Sequence, residues 1–331
     1  MLLRIFRGTG PGVILLIVVT LLLVWISPFV ELQGRFSLYF DLDPMPLYGI
    51  LSYFIGTNPL PGIIFTLALV SLISILLVNL NTALFFINER TFLPAVMYIL
   101  LSGLFPQYQL MNPALFSGIF LMLAIRRITD AYRVQGIAYN FFDAGFLIGT
   151  GSLFYANLIW LGFLIIIGIA LLRTMNLKEI AISVLGLATP YILTFGIYYV
   201  AGKDLKDLWS LLGYNLFSKT ASYAFSQLTV VTLILIGLTT LVSVAYLLRV
   251  MDTKKIKSRK TFYLLLWAFI ISISIFFAFS SVSVEIVWLA GIPLSYILSH
   301  YFVFVKKKLI PEILFSLFFV LIALIQIWYM K

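Results

Sequence analysis

Cysteine is absent from the 331 residues, and histidine occurs once, at His300. The first absence excludes disulfides, thiol catalysis, thiolate zinc sites and iron–sulfur clusters. The second excludes any multi-histidine metal centre, bis-histidine haem and four-histidine iron sites included. Charge is also scarce. Asp, Glu, Lys and Arg make up 10% of the chain, against about 25% in soluble domains. In their place, 63% of the residues are hydrophobic. A chain of this length has no water-soluble way to bury so much apolar surface, and lipid is the solvent that tolerates it.

The net charge is +10, but the pattern is not that of a nucleic-acid surface. The basic residues fall in short stretches between apolar runs, where they orient membrane helices. Arg4 and Arg7 precede an apolar run from Val13 to Ile26. That run ends at Ser27-Pro28-Phe29 without a small-x-small cleavage site, so it reads as an uncleaved first transmembrane helix.

A spanning helix needs roughly 20 apolar residues. Measured against that length, the chain offers eleven runs: 12–29, 60–87, 92–105, 113–127, 141–154, 156–172, 180–200, 228–249, 262–280, 284–303 and 309–330. Three of them, 92–105, 113–127 and 141–154, are short. With the amino terminus inside and eleven alternating crossings, seventeen basic residues fall on the inner side. Five fall outside: Arg35, Lys203, Lys206, Lys219 and Lys331. Removing a single crossing puts later basic clusters on the wrong side. The expectation is an all-α polytopic transmembrane helical bundle forming one domain over 1–331, of about eleven helices, with its carboxyl terminus outside.

Two outer loops are long. Loop one, about 30–59, is rich in aromatic residues and should lie on the membrane surface. Loop two, about 201–227, spaces Leu205, Leu208, Trp209 and Leu212 as an amphipathic interfacial helix, with Lys203, Asp204, Lys206 and Asp207 on its polar face. The inner loop, about 250–261, is basic and serves as an anchor near anionic headgroups.

Candidate chemistry concentrates in loop one. Asp41-Leu42-Asp43-Pro44 sets two carboxylates close together in a non-helical segment, since proline biases Asp43 toward extended backbone. Such a pair could bind a divalent cation or act as a general base; acids are equally ordinary in a solvated loop. Glu31, Arg35, Tyr39, Lys219 and Glu285 are the accompanying substrate-contact candidates. Glu285 suits either an outer cavity or headgroup depth. On the inner side, Asp143 opens an apolar helix. It either caps that helix, where the dipole favours an acid, or pairs with Arg126, Arg127 or Arg133. Glu89 and Arg90, in a tight turn, could clasp the Arg126–Arg127 region or form part of a gate. Gly145 and Gly149 have small-xxx-small spacing, which suits close helix packing. His300 suits a headgroup contact near Lys306–Lys308. No motif specifies a metal or a cofactor.

Three stretches carry a resemblance: FFINERTFLPAVMYILLSGLFP, NPALFSGIFLMLAIRRI, and YNFFDAGFLIGTGSLFY leading to LLRTMNLKEIAISVLGLATPYIL. Together they resemble a Bacteroidota family of uncharacterised inner-membrane proteins. Some members carry a carotene-monooxygenase label, which the single histidine contradicts here. More loosely, the architecture is similar to C-class lipid-linked glycosyltransferases and to polysaccharide polymerases, whose acidic first outer loop supplies a base. That resemblance implies an inner-membrane, cell-envelope enzyme acting on a polyprenyl-phosphate-linked sugar, with Asp41 or Asp43 as base and Arg35, Tyr39 and Lys219 near the phosphate. A transporter or lipid flippase, or a non-catalytic subunit of an envelope complex, are the alternatives. The lipid bilayer is a partner on every reading, and nucleic acid is one on none.

Overall fold

The computed structural model describes residues 2–30, 43–55, 59–134, 136–219, 225–306 and 309–330. Among them there are helices and turns and no strands. The first helices are α1 (Leu2–Phe6), α2 (Pro11–Val24), α3 (Ser27–Val30), α4 (Pro46–Ile55) and α5 (Pro59–Leu84). A tight turn then leads into α6 (Leu93–Ser102), α7 (Pro113–Asp130), α8 (Asn140–Ser152) and α9 (Phe163–Leu172). The last six are α10 (Leu177–Val200), α11 (Leu205–Gly213), α12 (Gln227–Val250), α13 (Ile256–Ala278), α14 (Ile286–Phe304) and α15 (Leu309–Tyr329).

Six of the described helices are long and apolar enough to cross a membrane. They correspond to α5, α10, α12, α13, α14 and α15, and they make the chain a multi-pass membrane protein. Of the three short runs of the sequence, two are short helices here, α6 with 10 residues and α8 with 13, whereas α7 has 18. At 1.5 Å per residue, the 10 residues of α6 rise about 15 Å, half of a hydrocarbon core of about 30 Å.

A helix that stops inside an apolar bundle leaves backbone carbonyls that water cannot reach. Side chains from other helices satisfy them. Trp288 Nε1 donates to the Ser102 carbonyl at 3.2 Å, and Gln326 Nε2 donates to the Gly103 carbonyl at 2.8 Å. The end of α2 is treated alike, with Gln109 Nε2 donating to the Val24 carbonyl at 3.0 Å. Trp25 Nε1 donates to Ser102 Oγ, and Ser27 Oγ lies 2.8 Å from Gln326 Oε1. These polar side chains are buried and carry the terminations of the two half-length helices.

Helix α14 is the axis of the bundle. Its apolar residues run around every face, the mark of a fully enclosed helix, and nearly all of it is buried. It packs against α6, α7, α12 and α13. Tyr296, within it, donates to the Leu77 carbonyl of α5 at 2.7 Å. Helix α10 is peripheral and joins the bundle mainly through α8. That contact is very close. A Cβ added at Gly145 would lie 2.9 Å from the Leu187 backbone nitrogen, and one at Gly149 would lie 3.1 Å from Pro190 Cγ. The small-residue spacing of α8 thus receives the α10 backbone.

The two ends of the bundle differ. One gathers α4, α11 and the segments 153–162 and 279–285; the other gathers Arg4, Arg7, residues 131–134 and 136–139, and the α12–α13 connection. They are called here the Asp43 end and the basic end.

Candidate functional site

At the Asp43 end, residues distant in sequence form a small core of their own. Met45, Leu153, Ala156, Leu208 and Leu212 are buried together, with Leu47, Tyr191, Phe195, Tyr198, Leu211 and Leu216 against them. Helix α11 supplies Leu208 and Leu212 to this cluster, with Leu211 against it. Its start is fixed by Asp204, whose side chain accepts from Lys206 N at 2.9 Å, and Asp207 in its first turn complements the helix dipole. Leu208 and Leu212, one turn apart, point inward as the amphipathic pattern requires. The helix continues into a π-turn, Tyr214–Ser218. That turn carries Asn215, which is buried and donates to the Asp43 carbonyl at 3.1 Å and to the Leu211 carbonyl at 3.1 Å. Leu47 N also donates to the Leu153 carbonyl, and Tyr48 Oη to the Met111 carbonyl. Residues 43–48 and 208–216, parts of the two segments read as outer loops, therefore pack together.

A cleft of about 420 Å³ opens on this unit. Asp43, Tyr198, Asp207, Leu208, Ser210, Leu211 and Tyr214 line it. Two carboxylates, two phenols and a hydroxyl thus surround a leucine floor. Such a surface accepts hydrogen bonds from hydroxyl or amine groups and lays apolar faces against a ring. Lys203 marks one edge, with Nζ 5.2 Å from the centre of the Tyr198 ring. Large aromatic side chains stand out on α4 and α11: Tyr53, Phe54 and Trp209 are 84%, 79% and 72% exposed. Exposed aromatics of this kind are enriched at bilayer interfaces. No group of three or more acidic or histidine side chains suited to a metal ion occurs among the described residues.

Asp41, Glu31, Arg35 and Tyr39 lie outside the described residues. Asp43 is in the cleft; Lys219 and Glu285 are not among its lining residues. Lys219 closes the π-turn, its backbone nitrogen donating to the Tyr214 carbonyl. Glu285 is buried rather than open to headgroups, and Ser283 Oγ donates to its Oε1 at 2.5 Å. Asp207, missed as a site residue, had been assigned to the polar face of a helix. Its partner across the cleft is 164 positions away, a separation that no local pattern reports.

At the basic end, Asp143 lies in the first turn of α8, 3.6 Å from Arg127 Nε. Arg126 reaches Asp130 at 4.0 Å. Among the described residues no ion pair joins Glu89 or Arg90 to these arginines; the Glu89 carbonyl instead accepts from Asn81 Nδ2 at 3.1 Å. His300 is fully buried among the rings of Tyr246, Phe262 and Phe304 and away from headgroups. A further ion pair had no sequence signal. Arg173 Nε lies 3.2 Å from Glu179 Oε1, which also accepts from Ala138 N, and the Arg173 guanidinium donates to the Gly136 carbonyl.

No curated protein and no solved structure matches this chain. A family model does match, over residues 46–331, and the chain belongs to the family it describes, Family of unknown function (DUF6427).

Proposed function

We propose that this protein is an envelope enzyme of the glycosyl-transfer type, working on a lipid-linked sugar at the outward face of the cell's inner membrane. The observation that carries this reading is the meeting of Asp43 and Asp207 in one cleft. A lipid-linked sugar has a polyhydroxylated head and an apolar tail, and it presents that head at the depth where this cleft opens. Eleven crossings with the amino terminus inside put the cleft on the outer face, in accord with the bias of Lys and Arg.

In this reading the Asp43 carboxylate, with Asp41 beside it in the chain, takes the proton of an acceptor hydroxyl. The hydroxyl oxygen bonds to the anomeric carbon, and the bond from that carbon to the lipid phosphate breaks, the phosphate leaving with the electron pair. Asp207 and Tyr198 orient sugar hydroxyls. Lys219, Arg35 and Tyr39 answer the phosphate, and Glu285 supports the region from within.

The test is replacement of Asp43 and of Asp207 by Asn, which keeps size and removes charge. Loss of the general base should lower transfer by about 10²–10⁴-fold, with lipid-linked sugar accumulating and protein levels unchanged. Normal envelope glycans in the double variant would end this proposal.

A further inference from the structure

We propose that the corner formed by Tyr132, Arg133 and Lys260 at the basic end is a binding site for the phosphate of an anionic phospholipid headgroup. The proposal does not rest on the function argued above. Arg133 Cζ lies 5.3 Å, and Lys260 Nζ 5.5 Å, from the centre of the same Tyr132 ring. Two cations that share one ring repel each other, and the ring's attraction for each is modest at an exposed site. Four acids at this end already face other cations, Asp130 with Arg126, Asp143 with Arg127, Glu179 with Arg173 and Asp252 with Arg259, and Glu312 accepts from Leu3 N; Glu89 forms no ion pair among the described residues. Among the described residues neither Arg133 nor Lys260 has an ion-pair partner. An anion between them would answer both charges.

The corner is built rather than incidental. Arg133 stands at φ 62°, a left-handed conformation that an arginine seldom takes. The loop behind it is pinned at two places, by the Arg173 guanidinium on the Gly136 carbonyl and by Glu179 Oε1 on Ala138 N. Val134 N closes the turn onto the Ala131 carbonyl. Lys260 comes from the second turn of α13.

The depth selects the source of the phosphate. Tyr132 lies two residues past the end of α7, and Lys260 stands near the start of a helix long and apolar enough to cross a membrane. The site is therefore level with headgroups. Beside it Tyr139 is 68% exposed, and Ile137 also faces outward, an apolar flank for the upper part of an acyl chain. Basic pockets between helices at a membrane surface hold anionic headgroups on these same physical terms.

The experiment uses the full chain in detergent, with phosphatidylglycerol as the probe and native mass spectrometry and thermal shift as readouts. The wild-type protein should retain phosphatidylglycerol in preference to phosphatidylcholine and gain thermal stability from it. The double variant Arg133→Gln, Lys260→Gln should retain it about tenfold less well, since loss of a charged hydrogen-bond partner is of that order. Removing the same charge elsewhere at this end, with Lys178→Gln and Arg249→Gln, should leave retention unchanged. The charge-preserving pair Arg133→Lys, Lys260→Arg should keep it, which separates binding from folding. Equal loss in the Lys178 and Arg249 variant, undiminished retention in the double Gln variant, or the same protection from inorganic phosphate would each overturn the proposal.

Discussion

Asn215 Nδ2 donates to the Asp43 carbonyl at 3.1 Å, across 172 positions of sequence. That bond joins the π-turn after α11 to the bend before α4. It holds Asp43 where Asp207 also lines the cleft.

Replacing Asn215 with Ala removes this bond and the one to Leu211. The expected cost is about 1–3 kcal/mol, because two carbonyls lose a buried donor. Hydrogen exchange should rise in 43–49 and around 211–218 and stay unchanged at the basic end. Unaltered protection of 43–49 would show that the loops are held by other contacts.

The α8–α10 seam predicts a sharp contrast between glycines. Gly145→Ala sets a methyl group against the α10 backbone and should destabilise the protein by about 1–3 kcal/mol through overpacking. Gly237→Ala, in α12 with nothing within 4 Å of the added carbon, should be neutral or slightly stabilising. Thermal unfolding in one detergent compares the two.

Breaking the Arg173–Glu179 pair should be costly. The Glu179 side chain is 1% exposed, so Arg173→Ala leaves a buried carboxylate without its cation, at about 3–5 kcal/mol. Glu179→Gln should be milder, since the amide oxygen can still accept from Ala138 N. Limited proteolysis of the 131–139 loop should increase in the first variant well before the second. Equal sensitivity would argue that the loop is held by backbone contacts alone.

Lys254 predicts a pH dependence. Its ammonium lies 5.1 Å from the centres of the Phe262 and Phe304 rings, and burial lowers its pKa from 10.5 to about 8. Between those values the unfolded chain binds the proton more strongly, so this group's contribution to stability rises as pH climbs from about 8 to 10.5 and is lost as pH falls through that window. The amine is partly exposed, so the effect is discounted for screening. Wild type should gain thermal stability relative to Lys254→Met over that range. Parallel curves would place Lys254 in ordinary solvent.

The helices were legible in the sequence because membrane spans announce themselves by length and apolarity; each of the eleven apolar runs coincides with a helical segment. Their packing was legible only where small residues mark it, as at Gly145 and Gly149. The way a half-length helix is ended was not legible, since Gln326 and Trp288 act on α6 from more than 180 positions away. The same holds for the site. Asp43 could be read from its setting before Pro44, whereas Asp207 looked like one more acid on a solvated helix face. His300, read as a headgroup contact, and Glu285, read as facing either an outer cavity or headgroups, are both buried, because run position gives depth along a helix and says nothing of which face is enclosed.

The absence of cysteine allows the most direct test of the central claim. Asp43→Cys and Asp207→Cys can be introduced together without removing any native thiol, and the protein probed in spheroplasts with a short, membrane-impermeant bis-maleimide. The account predicts an intramolecular cross-link between positions 43 and 207 without permeabilisation, and no labelling of Thr253→Cys under the same conditions. Failure to cross-link, or a cross-link that forms only after the membrane is opened, would contradict a shared outward-facing cleft.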